Sequence, residues 1–163
     1  MSEPMLRIGM ARVEGAQLAQ LVDDFRELVG ANRDIDDPAV SRLVPDPYPA
    51  DEDSSRAFRD ATRDDLLDRR ALDADIVRSA LSGMRGDIDE MSQSEAFTEH
   101  DLDIPPSDID AWMRTLTALR LVIADRLGVE SDDDHDPEDP RFGVYDWLGY
   151  RLELIIDAAD ELL

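Results

Sequence analysis

The chain has 163 residues, 40 acidic and 17 basic, and every basic residue is arginine, for a formal charge of −23 at pH 7. A field of that sign repels phosphate backbones and anionic lipid headgroups, so charge-driven binding to nucleic acid or membrane surfaces is disfavoured. With no cysteine, disulfides, thiolate catalysis, thiol redox sensing and zinc–sulfur sites are all excluded.

Leu6, Ile8 and Met10 alternate with Met5, Arg7 and Gly9, which predicts a short strand. Leu18, Leu21, Val22, Phe25, Leu28 and Val29 then recur at helical spacing and predict an amphipathic helix over 14–30, ended by Gly30. Residues 32–53 form a proline-rich connection, because Pro38, Pro45, Pro47 and Pro49 remove donors and fix φ. Asp37-Pro38 is suited to cap a short turn through Val40 and Leu43. The stretch around Tyr48 reads as extended: either a connection packed on the surface or a peptide-like docking segment.

A second long helix is predicted over 54–66, with Ala57, Phe58, Ala61, Leu66 and Leu67 inward and Arg56, Arg59 and Arg63 on one face. A third is predicted over 68–84 from Leu72, Ile76, Ala80 and Met84 at four-residue steps, and the polar segment 87–100 reads as loop. Leu102 and Ile104 mark a second short strand before Pro105-Pro106. Ser107 is placed as an N-cap for a helix over 107–128 whose stripe is Ile109, Trp112, Leu116, Leu119, Ile123 and Leu127, ended by Gly128. An acidic linker over 129–140 leads to a last helix over 143–162, carrying Trp147, Leu148, Leu152, Ile155, Ile156 and Ala159. Both tryptophans are expected in the core. The whole reads as one acidic, mainly α domain over 1–163: a bundle of about five helices, with the two short strands paired as a ribbon that must pack on the helices to survive.

No constellation carries catalytic chemistry. An EF-hand loop starting at Asp132 needs glycine sixth and glutamate twelfth, and those places hold Pro137 and Gly143. His100 and His135 lie in acidic segments without metal-ligand spacing, and no phosphate-binding glycine loop or nucleophile elbow is present. No catalytic, cofactor-binding or metal residue is therefore assigned. Arg56, Arg59, Arg63, Arg69 and Arg70 are interleaved with Asp60, Asp64, Asp65 and Asp68. Internal pairing, such as Asp65 with Arg69, is the plain reading, and a site for an acidic partner is the functional one. The candidate partner contacts are Arg56, Arg59, Arg63, Tyr48, Tyr145 and Tyr150. The last two flank Trp147 in an aromatic stretch that also holds Phe142.

Three segments carry a resemblance in their order and spacing. The first is Arg42-Leu43-Val44-Pro45-Asp46-Pro47-Tyr48-Pro49 leading into Phe58-Arg59, Thr62 and Asp65-Leu66. The second is Ala111-Trp112-Met113, Leu116 and Leu119-Arg120-Leu121, with Arg126-Leu127-Gly128. The third is Val144-Tyr145-Asp146-Trp147-Leu148-Gly149-Tyr150. Together they resemble an actinobacterial family named after the AosR-like oxidative-stress transcriptional regulators. Arginine in place of lysine, with abundant Ala and Asp, is a GC-rich signature that agrees. The resemblance implies a regulatory protein without enzymatic activity. The cysteine pair through which the naming regulator senses redox state has no counterpart here, so that switch is not carried over. An acidic regulator is expected to touch a basic protein, such as a sigma factor or another part of the transcription machinery. Direct DNA binding is the alternative, and a metal-dependent hydrolase using clustered carboxylates a remote one. Wide apolar stripes leave room for a homodimer. Met1-Ser2-Glu3-Pro4 lacks a basic n-region and an apolar h-region, and no run approaches the ~20 apolar residues of a membrane span, so a cytoplasmic location is expected.

Overall fold

The computed structural model describes residues 5–44, 52–84, 88–129 and 138–162, with the backbone alone at 52–59 and 88. Strand β1 (Leu6–Ala11) runs straight into helix α1 (Arg12–Val29), followed by the short α2 (Pro38–Leu43) and the long α3 (Glu52–Ala80). A single helical turn, α4 (Gln93–Ala96), leads into strand β2 (Glu99–Ile104), then α5 (Ile109–Leu127) and α6 (Gly143–Leu162). The architecture is a mainly α bundle carrying one two-stranded antiparallel ribbon, as the sequence pattern predicts.

The ribbon pairs Leu6 with Ile104, Ile8 with Leu102 and Gly9 with Asp101, without a bulge. Because side chains alternate across a strand, Leu6, Ile8, Met10, Leu102 and Ile104 all point into the core and are buried. Arg7, Gly9 and Ala11 lie on the other face, opposite Asp103, Asp101 and Glu99. An isolated hairpin is marginal in water, and this ribbon is held by burying its whole apolar face under the helices.

One core unites the elements. Trp112, Leu116 and Leu119 of α5 sit among Leu18, Val22 and Phe25 of α1, Val40 and Leu43 of α2, Val77 of α3 and Leu148 and Ile155 of α6. A smaller cluster of Ala124, Val129 and Phe142 closes the far end of α5. There Gly128 adopts a left-handed φ of 76° and donates back to Ala124 and Asp125, which ends α5 as expected. Asp37 accepts from the Ala39 N–H at 2.9 Å and caps α2 with Pro38 in the first turn, also as expected.

Several expectations are corrected. Residues 54–66 and 68–80 are not two helices but parts of one, α3, since no glycine or proline interrupts Glu52–Ala80, and Ser82–Met84 form a 3-10 turn beyond it. Its buried face is Leu67, Ala74 and Val77, continued by Leu81, whereas Leu72 and Ile76 are exposed. At about 100° per residue, each four-residue step drifts ~40° around a helix, so a strict run of fours leaves the core face. Spacings of seven, three and four keep to it. Ala61 is exposed rather than inward. Segment 87–100 is less irregular than its polarity suggests: residues 88–90 make a 3-10 turn, α4 follows, and β2 begins at Glu99. Ser107 is not an N-cap but lies inside a 3-10 turn, Pro106–Asp108, that precedes α5. Trp112 is 1% exposed, while Trp147 is half-buried and packed on the core edge. The prolines 45–49 and the Asp132–Asp136 run lie outside the described residues.

Replacing Trp112 with alanine should cost about 3–5 kcal/mol of unfolding free energy, because a fully buried indole leaves a large cavity. Urea denaturation would measure it, and a loss below about 1 kcal/mol would contradict the central placement of this ring.

Candidate functional site

The arginines join the helices along their seams. Arg26 and Arg78 converge on Asp23 at 3.3 and 2.7 Å, tying α1 to α3, and Arg26 also reaches Asp75 at 2.6 Å. Arg33, just past α1, takes Asp68 and Asp64 of α3 at 2.9 and 3.1 Å and donates to the Val29 carbonyl at the helix end. Arg114 binds Asp73 through two hydrogen bonds, joining α5 to α3, and Arg126 binds the Asp37 cap the same way, joining α5 to α2. Arg42 donates to the Val129 carbonyl and Arg70 to that of Leu43. Arg120 of α5 donates to the Tyr145 carbonyl while its guanidinium stacks 4.2 Å from the Tyr145 ring centre. Gly149 leaves room for that crossing, since a Cβ there would stand 3.1 Å from the Arg120 guanidinium. The planar fork of arginine suits two-point carboxylate contacts that lysine cannot make.

The densest knot is at Glu14. Its carboxylate accepts the Trp147 indole N–H and the Arg151 guanidinium, each at 2.7 Å. The Ala11 backbone N–H also favours its charged form, at the spacing of the glutamate half of a capping box at the start of α1. Arg151 in turn donates to the Gly9 carbonyl at 2.9 Å. Two α6 side chains one turn apart thus clamp the outer edge of β1 and the first turn of α1. Burial pushes the Glu14 carboxyl up, but the hydrogen bonds from Arg151 and Trp147 and the Arg151 charge overcome it and hold the group below its usual value. Asp37 is lowered as well, chiefly by the Arg126 hydrogen bond.

The sequence-derived contact residues do not converge. Tyr48 and the side chains of Arg56 and Arg59 lie outside the described residues. Arg63 is partly buried on α3, 3.4 Å from Asp60. Tyr145 is half-buried beneath Arg120 and edge-on to Phe142. Tyr150 is exposed at 58%, and Leu154 and Ile156 on the same helix are exposed too. Asp65 and Arg69 both stay exposed, and among the described residues no ion pair joins them. Sequence reasoning missed the Glu14–Trp147–Arg151 knot, whose partners are 133 and 137 residues apart. A faint signal existed: Arg151 falls one turn below Trp147, on the same face of a helix whose stripe is otherwise apolar.

Two open grooves flank α3. One, of about 540 Å³, runs between α3 and α5 and is lined by Arg69, Arg70, Arg114, Leu72, Met113 and Asp73, among others. The other lies between α1 and α3 and is mainly acidic, with Asp23, Asp24, Glu27 and Asp75. Among the described residues, no helix is long and apolar enough to cross a membrane, and no cluster of His, Cys, Asp or Glu is placed to hold a metal ion.

A mainly α, acidic bundle with a clamped β-ribbon is the class of protein that this geometry defines. The chain belongs to the DUF2017 family, described as a domain of unknown function, whose family model covers residues 2–159. No curated protein and no solved structure matches it.

Exchanging Glu14 for Gln should lower stability by about 1–3 kcal/mol at neutral pH, since the partly buried Arg151 guanidinium loses its counter-charge. A carboxyl whose folded value is depressed contributes stability that is complete above its unfolded value near 4.3 and is lost as pH falls through the folded value. The gap in urea midpoint between wild type and Glu14→Gln should therefore be constant from about pH 5 to 7 and close below about pH 4. A gap that widens on acidification would contradict the assignment.

Proposed function

We propose that this chain is a non-enzymatic regulatory protein of the cytoplasm that works by contact with a basic protein partner in the transcription or stress-response machinery. The observation that carries this reading is the direction of the arginines. Arg26, Arg33, Arg78, Arg114, Arg126 and Arg151 are engaged with carboxylates of the same chain. Much of the positive charge is thereby drawn into internal seams, and the excess of 23 negative charges is left to act outward. Such a field steers cationic partners and raises their association rate, and it opposes the phosphate backbone. Exposed Tyr150, Leu154 and Ile156 on α6 supply apolar contact of the kind that interfaces place at their centre. The three segments resembling the AosR-like regulators support the regulatory part of the reading.

Gel-shift titration and co-purification test it together. Duplex DNA should show no shift at micromolar protein in about 50 mM salt, where nonspecific electrostatic binding is strongest. A basic protein should co-purify reproducibly with the full chain and elute as salt rises. A DNA shift that weakens with salt, or no reproducible partner, would contradict the proposal.

A further inference from the structure

The two edges of the ribbon are treated differently. Arg12, just past β1, donates its backbone N–H to the Thr98 carbonyl at 3.0 Å, which continues the register by one more pair. Directly opposed residues of an antiparallel ladder alternate between hydrogen-bonded and non-bonded pairs. The Arg12–Thr98 bond therefore makes the even-numbered β1 residues the bonded ones, and Gly9–Asp101, Arg7–Asp103 and Ala11–Glu99 the pairs whose N–H and C=O groups face outward. The β1 side agrees: the Gly9 carbonyl accepts from Arg151, and the Ala11 N–H is directed to the Glu14 carboxylate whose charge it favours. That edge is sealed by α1 and α6. On β2, the outward backbone groups belong to Glu99, Asp101 and Asp103, and among the described residues they have no hydrogen-bond partner.

We propose that the open edge of β2 docks an extended segment of a protein partner as a third strand, and that this segment alternates Lys or Arg with β-branched or other apolar residues. Strand addition takes its affinity from main-chain hydrogen bonds and its specificity from alternate side chains. Here one face of β2 carries Glu99, Asp101 and Asp103, all exposed, with Arg7 pairing with Asp103 across the ribbon. Cations at every second position of the incoming strand lie beside those carboxylates. Its intervening residues fall on the same side as exposed His100 and buried Leu102 and Ile104, and Phe97, 67% exposed, stands just before the strand as an apolar anchor. A second copy of this chain is a poor occupant, because edge-to-edge pairing would set like charges against each other. The inference rests on the partner reading above and gives that partner a local chemistry.

The probe is a synthetic peptide of alternating Arg and Val, about ten residues long, titrated onto the full chain by fluorescence anisotropy at physiological salt. N-methylation of the peptide's alternate amides keeps its charge but removes the donors facing β2, so affinity should fall at least about tenfold. Asp101→Pro removes an outward N–H, which an edge strand tolerates, together with the carboxylate, so it should weaken the unmodified peptide well beyond Asp101→Asn, which removes the charge alone, while circular dichroism stays unchanged. Asp101→Asn covers the case in which the proline variant misfolds: it should still bind, severalfold more weakly. Equal affinity of the methylated and unmodified peptides would overturn the proposal and reduce binding to general charge attraction. Cellular partner binding that survives Asp101→Pro would overturn the docking edge while leaving the partner reading intact.

Discussion

One carboxylate holds the two kinds of secondary structure together. Glu14 sits three residues into α1, at the point where the ribbon becomes a helix, and accepts from Trp147 and Arg151, with the Ala11 N–H also favouring its charge. Without them the first turn of α1 and the edge of β1 would present unpaired backbone groups to the flank of α6, and a buried polar group without a partner is costly. With them, α6 cannot leave without exposing the Gly9 carbonyl as well. The ribbon, too small to stand alone, is held by its buried apolar face, and its β1 edge is fixed against α6 by a network that includes residues more than 130 positions apart.

The rest of the electrostatics follows the same pattern on a larger scale. A chain of net charge −23 is destabilised by its own repulsion when compact. Placing arginines at the α1–α3, α3–α5, α2–α5 and α1–α6 seams neutralises a carboxylate at each of these joints. Many of these pairs are partly exposed and individually weak. Arg33, with a side chain only 14% exposed and two carboxylates plus a helix-end carbonyl to satisfy, is better placed than an isolated surface pair. The outward result is an acidic surface interrupted by a few apolar positions.

Local patterns in the sequence were enough for the local features. The alternation of Leu6, Ile8 and Met10 found β1, Asp37-Pro38 found α2, and Gly128 found the end of α5, since each depends on neighbouring residues. The ribbon was legible because two alternating segments had no other way to bury their apolar faces. α3 was misread because the run Leu72, Ile76 and Ala80 looked more regular than the looser spacing that faces the core. Tertiary contact, not local periodicity, decides which side of a long polar helix is inside. The site was less legible than the fold. Arginine pairing was foreseeable in kind, but the partners were not, because Arg126 finds Asp37 and Arg151 finds Glu14 only once the bundle has closed.

Coupling between the ribbon edge and α6 requires the Glu14 contact to be an energetic link and not only a geometric one. A double-mutant cycle on Glu14→Gln and Arg151→Met, read as unfolding free energies at neutral pH, measures that link directly. The predicted result is a coupling of about 1 kcal/mol or more, as for residues within one hydrogen-bonded network. Additivity within about 0.3 kcal/mol would contradict the claim that this carboxylate joins the ribbon to the last helix.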